Sequence, residues 1–177
     1  MLAYVHSTGR GDDDLLAEVA QALQAQGMRL AGAVQRNSAD GTECCSRMEL
    51  VLLTGRTTDP SPIGISQRLG GGATGCRLDP DGLERAVGRI AAMIAAEGAA
   101  IDIVVVNKFG RQEAEGGGFR PVIAQALSAG VPVLTKLSPD AAPAFAEFAG
   151  DLAEELPPER SALIDWCRAM SGAADWR

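Results

Sequence analysis

Blocks of apolar residues spaced for strands and for helices take turns along the chain, and their order outlines a fold. Leu2, Ala3, Tyr4 and Val5 predict a strand over residues 2–6. From about Asp12 to Gln26, Leu15, Leu16, Val19 and Leu23 recur at helical spacing until Gly27 closes the segment. A second strand is expected over 29–34, ending at the polar Gln35 and Asn37, and a third over 49–53. Residues 54–80 carry TG, DP, SP and GGGATG punctuation, so a simple helix or strand is not expected there. Leu83, Val87, Ile90 and Ile94 predict a helix over 81–96, and the β-branched run at 101–106 has the composition of a strand buried on both faces. A polar, glycine-rich loop follows, then a helix with Phe119, Val122, Ile123, Ala126 and Leu127, a stop at Gly130 and a fifth strand over 131–135. Beyond about Asp140, two short amphipathic helices flank Pro157 and Pro158. Phe145, Phe148, Leu152 and Leu156 are expected to cover one edge or face of the sheet.

Strands alternating with helices through right-handed crossovers build an α/β domain with a mainly parallel sheet, here of five strands, covered by helices on both faces. At 177 residues the chain suits one domain, with a core over 1–138 and a helical tail over 139–177. Composition narrows the partners. The net charge is −7 and no dense Lys/Arg cluster exists to follow a phosphate backbone, so nucleic acid is not expected. No apolar run nears the roughly 20 residues that span a bilayer, and no secretory leader pattern opens the sequence, so a cytoplasmic protein is expected, with room for a homo-oligomer. The four cysteines, Cys44, Cys45, Cys76 and Cys167, lack C-x-x-C spacing and are expected as reduced thiols.

The first loop has the frame of a phosphate-binding loop without its chemistry. In HSTGRGDD, residues 6–13, His6 occupies the place of the first glycine of G-x-x-x-x-G-K-[ST], and Gly11 keeps the second. Asp12 and Asp13 replace the lysine and the hydroxyl residue. A lysine about 4 Å from a phosphate charge is worth roughly 4 kcal/mol at an effective dielectric of 20, and an aspartate reverses the sign. Gly9, Arg10 and Gly11 retain two amides and a guanidinium for an oxyanion. Asp12, Asp13 and Asp14 read either as carboxylate ligands of a hard cation or as a charged first helical turn. His6, the one histidine, reads as a packing residue or as a ligand.

The loop NKFGRQEAEGGGF follows the carboxyl end of the buried strand, the edge where open α/β sheets place ligands. There Arg111 is suited to clamp an oxyanion and Lys108 to add a point charge, beside Asn107, Glu113 and Arg120. The plainer reading is a solvated turn in which Glu113 pairs with Arg111. Gly70 to Pro80 offers open backbone amides and Cys76; with Cys44 or Cys45 that thiol reads as a soft metal ligand, a redox partner or a structural thiol.

Taken in order, the altered P-loop, QALQAQGMRLAGAVQ, LLTGR, GCRLDPDGLERA, DIVVVNKFGRQEAEGGGF and GVPVLT resemble the small P-loop nucleoside-triphosphatases and the related molybdopterin-guanine-dinucleotide accessory proteins. The chain is most similar to a bacterial domain family of unknown function whose genes often sit beside molybdate-uptake genes. The resemblance covers roughly residues 1 to 138 and implies a P-loop-type three-layer α/β fold. In the nucleotide-hydrolysing relatives the fourth strand ends in a D-E pair that holds the metal and orients water. The resemblance puts Asn107 and Lys108 at that pair and Glu113 at a later glutamate. It therefore implies a non-catalytic ligand-binding or regulatory protein, taking an oxyanion or nucleotide-like ligand through Gly9, Arg10, Gly11, Asn107, Lys108, Arg111 and Glu113, with a tie to molybdenum metabolism. A nucleoside-triphosphatase with displaced catalytic groups and a structural adaptor stand as the other readings. No cofactor is specified, and Asp12, Asp13, Cys44 and Cys76 are the candidate metal ligands.

Overall fold

The computed structural model describes residues 1–7, 14–38, 47–68 and 76–172. In chain order the elements are β1 (Leu2–His6), α1 (Asp14–Ala25), β2 (Leu30–Ser38), β3 (Arg47–Gly55), β4 (Thr57–Thr58), β5 (Ile63–Gly64), β6 (Ser66–Arg68), β7 (Cys76–Leu78), α2 (Pro80–Glu97), β8 (Ile103–Phe109), α3 (Arg111–Ala114), α4 (Arg120–Ser128), β9 (Val133–Leu137), α5 (Ala142–Ala149), β10 (Ala153–Glu155) and α6 (Arg160–Gly172). The main sheet runs β10-β1-β9-β8-β2-β3-β4, with β5 also paired to β3. Strands β10, β1, β9, β8 and β2 are mutually parallel, and β3 runs antiparallel to β2 over its whole length.

Helices cover both faces, and the alternation of each strand sorts its side chains between them. Along β8, Val104 and Val106 join the core under α2, α4 and α5, whereas Ile103 and Val105 join the core under α1 and α6. All four are fully buried, which explains why this strand reads as an unbroken apolar run. Helix α2 begins at Asp79, whose side chain accepts from the amide of Asp81, with Pro80 in the first turn. Gly32 in β2 has φ +122°, and a Cβ there would lie 1.9 Å from the carbonyl oxygen of Val105, so β2 and β8 meet only through a glycine.

Among the described residues the main sheet has eight strands where the periodicity gives five. The extra ones, β4, β5 and β10, are two or three residues long, too short to show a period of two. The segment expected to be irregular holds β4 and β5 on the main sheet and a separate ribbon of β6 with β7. The C-terminal segment also departs from expectation. Phe145 and Phe148 pack on the α2 and α4 face, Leu156 on the α1 and α6 face, and Leu152 is 63% exposed. Strand β10 carries the chain across the edge beside β1, so this segment serves both faces instead of one.

Candidate functional site

Four parallel strands, β1, β9, β8 and β2, end at the same side of the sheet, and a cleft of about 680 Å³ opens there on the α2 and α4 face. Its apolar walls include Met48, Leu50, Ile65, Leu78, Leu83 and Phe119; its polar lining includes Gln35, Asn107, Lys108, Arg111 and Glu115. That volume lies within the ~300–1,000 Å³ of small-molecule sites.

A bulge in β8 aims its end into this cleft. Val106 pairs with Thr135 and Phe109 with Leu137, so β8 spends one more residue than β9 over the same interval. Val106 and Phe109 consequently face the same core although they are three positions apart. The residues between them, Asn107 and Lys108, line the cleft.

Asn107 is 4% exposed. Its amide nitrogen donates to Gln35 Oε1 at 3.4 Å, and Gln35 Nε2 donates to Asn37 Oδ1 at 2.8 Å. Asn107 Oδ1 is buried with no donor among the described residues. A buried acceptor left so costs about 1–3 kcal/mol, and folded proteins seldom retain one without a use. Lys108 is exposed, with no ion-pair partner among the described residues, and its side chain runs past Gly110, where a Cβ would be 3.6 Å from Cε.

The next part of the loop is locked by Glu113. This 5%-exposed carboxylate accepts from the Gly110 amide through Oε2 and from the Phe119 amide through Oε1, each at 2.9 Å. Gly118 has φ +54°, and a Cβ there would lie 2.2 Å from Glu113 Oε1, so the turn closes only around a glycine. Arg111 pairs with Glu115 at 2.7 Å, not with Glu113, because the turn of α3 brings Arg111 and the C-cap residue Glu115 together at i,i+4 spacing. The Glu115 carboxylate, first by hydrogen bonding and then by its charge, raises the Arg111 pKa above its ordinary value. Arg120 lies 4.9 Å from the Phe148 ring centroid, a cation–π contact that holds α4 to α5.

Of the residues expected to bind, Asn107, Lys108 and Arg111 come together at the cleft, and Glu113 organises the loop beneath them. Gly9, Arg10, Gly11, Asp12, Asp13, Cys44, Cys45 and the glycines of 70–75 lie outside the described residues. Strand β9 separates β1 from β8, which places the end of β1 about 10 Å from the bulge at the ~4.8 Å spacing of neighbouring strands. His6 closes β1, 3.6 Å from Glu155 and edge-on to Tyr4. Cys76 begins β7. The Cys167 thiol is buried under α1, and burial pushes its pKa up to about 12, which marks a packing residue. At the end of β8 the donors are an amide and an ammonium, which do not suit a hard divalent cation.

A family described as "Protein of unknown function (DUF2478)" matches residues 1–166, nearly the whole chain. The chain belongs to this family. A similar protein is "Molybdenum import ATP-binding protein ModC 2" of Bradyrhizobium diazoefficiens, 41% identical over 160 residues, which cover 90% of this chain and 17% of that protein. This DUF2478 chain thus spans less than a fifth of the curated relative it matches. Among solved structures, a human cancer-related nucleoside triphosphatase superposes with a TM-score of 0.62 at 15% identity, covering 99% of this chain and 98% of that one. The fold is P-loop-NTPase-like, and no helix among the described residues is long and apolar enough to cross a membrane.

Two polar residues of this DUF2478 fold escaped the sequence reading. Gln35 sits where β2 turns polar, a position that looks like an ordinary strand end. Lys136 is 1% exposed in the central strand β9, where the sequence TKL gives no sign of burial.

Proposed function

We propose that this chain is a non-catalytic binding or regulatory domain on a P-loop-like scaffold, which takes a small anionic or nucleotide-like ligand at the carboxyl ends of β2 and β8. The observation that carries this reading is the pair at the bulge, Asn107, whose buried carbonyl has no donor among the described residues, and the exposed Lys108, both of which line a cleft of about 680 Å³. The absence of catalysis is supported by the sequence. An amide and an ammonium stand where the hydrolysing relatives carry an acidic pair, and Asp12 and Asp13 replace the phosphate-binding lysine and the hydroxyl residue. The likeness to a protein named for molybdenum import supports a role beside molybdate uptake, as part of a longer protein or as its partner. A cleft of this volume favours ligand binding over a bare structural adaptor.

Scanning calorimetry in the presence of molybdate, tungstate, phosphate and nucleotides tests the reading, together with phosphate release from mixed nucleoside triphosphates. A thermal shift with at least one ligand and no Mg²⁺-dependent phosphate release is expected. No shift with any of them contradicts ligand binding; Mg²⁺-dependent turnover lost on Asp12→Ala contradicts the absence of catalysis.

A further inference from the structure

The cleft does not resemble a cradle for a bare oxyanion. Among the described residues, its lining balances positive groups, Lys108 and Arg111, with negative ones, Glu113 and Glu115. Arg111 is already paired with Glu115, and the Glu113 carboxylate is spent on two amides, which leaves Lys108 as the one cation at the rim without an ion-pair partner among the described residues. A tetrahedral anion would fill only a small part of a space worth about twenty waters at roughly 30 Å³ each. The walls are apolar and include Met48, Leu50, Ile65, Leu83 and Phe119, a thioether and an aromatic ring among them, surfaces that suit the face of a planar ring. Among the lining residues is Asn107, whose buried carbonyl lacks a donor among the described residues. Asn107 donates one amide hydrogen to Gln35, and Gln35 is anchored in turn on Asn37, so the chain of amides fixes the side chain that carries this carbonyl.

We propose that the cleft recognises a planar heterocycle through an N–H or amino edge, read by Asn107, while a phosphate carried on the same ligand meets Lys108 at the rim. The ligand class is a nucleoside monophosphate or a heterocyclic phosphate of like shape. Its contacts lie at the ends of β2 and β8, with β9 between β8 and β1. This inference rests on the reading of the cleft as a binding site and adds which end of the ligand is recognised and how.

Isothermal titration of the full chain with the four common nucleoside monophosphates, guanosine, purine riboside, inorganic phosphate and molybdate tests it. At least one monophosphate is expected to bind, with guanosine about tenfold weaker than its monophosphate. Purine riboside, whose ring carries no N–H or amino donor, should bind weaker again by about tenfold. Asn107→Leu should lower monophosphate affinity at least tenfold, and Gln35→Met, which frees the Asn107 amide without removing it, by a smaller factor. Lys108→Met should bring the monophosphate down to the affinity of its nucleoside. If phosphate or molybdate binds as tightly as any monophosphate and Lys108→Met abolishes it, the heterocycle inference is overturned while the binding site stands. Unchanged monophosphate affinity in Asn107→Leu overturns it as well. If none of the probes binds, the inference and the site reading fall together.

Discussion

Segment 107–119 has two halves, the bulged end of β8 and the loop that follows it, and their polar side chains do opposite things. At the bulge, Asn107 and Lys108 keep open valences, a carbonyl without a donor and an ammonium without an ion-pair partner among the described residues. A few residues on, both oxygens of Glu113 are consumed by the Gly110 and Phe119 amides, and Gly118 closes the turn with a φ of +54° where a Cβ would strike Glu113 Oε1. The locked half costs the ligand nothing to organise, because folding has already fixed it. The open half is where the proposed ligand would recover what folding left unmade. Rigid support next to unsatisfied groups is the arrangement a preorganised site requires.

Changes in the locked half should be the most damaging. Glu113→Ala strands two buried amides and removes two charge-assisted hydrogen bonds, and we expect a loss of about 3–5 kcal/mol in urea unfolding. A loss under about 1 kcal/mol would erase the distinction between the halves. Gly118→Ala meets Glu113 Oε1 and demands a left-handed backbone from alanine; a cost of about 2–3 kcal/mol is expected, which for a chain of this size is several degrees in Tm. Asn107→Leu should change stability by about 1 kcal/mol or less, toward the stable side, because it deletes an unpaired buried acceptor. Marked destabilisation there would mean that Asn107 belongs with the locked half. Lys108→Ala and Arg111→Ala should each fall within about 0.5 kcal/mol, as exposed charges do, with Arg111 losing only its surface pair to Glu115.

How much of this was legible depended on segment length. The stripes of α1 and α2 are long enough for burial to impress a period on the sequence, and they fall where the pattern puts them; β8 overlaps the expected 101–106 but runs on through Asn107, Lys108 and Phe109, which the pattern assigns to the loop because the bulge and the polar pair end the apolar run. A three-residue strand such as β10 has no room for a period, and its existence depends on the free edge of β1. The bulge is one inserted residue and leaves no compositional mark, so Asn107 and Lys108 could be proposed as neighbours at a strand end but not as a pair aimed into one cleft. Glu113 and Glu115 are equivalent as letters. Only the helical turn at 111–114 decides that Arg111 takes the second of them, and only the return of the chain to Phe119 makes Glu113 the bracket of the loop. Gln35 entered the site through β2, a strand next to β8 in space and distant in sequence.

The comparison between the two halves can be read directly from amide resonances. In a ¹⁵N-labelled sample titrated with the nucleoside monophosphate that binds, the side-chain amides of Asn107 and Gln35 and the backbone amide of Lys108 should shift most. The Gly110 and Phe119 amides, already held by Glu113, should stay nearly fixed. The largest shifts at Gly110 and Phe119, or none at Asn107, would contradict the account.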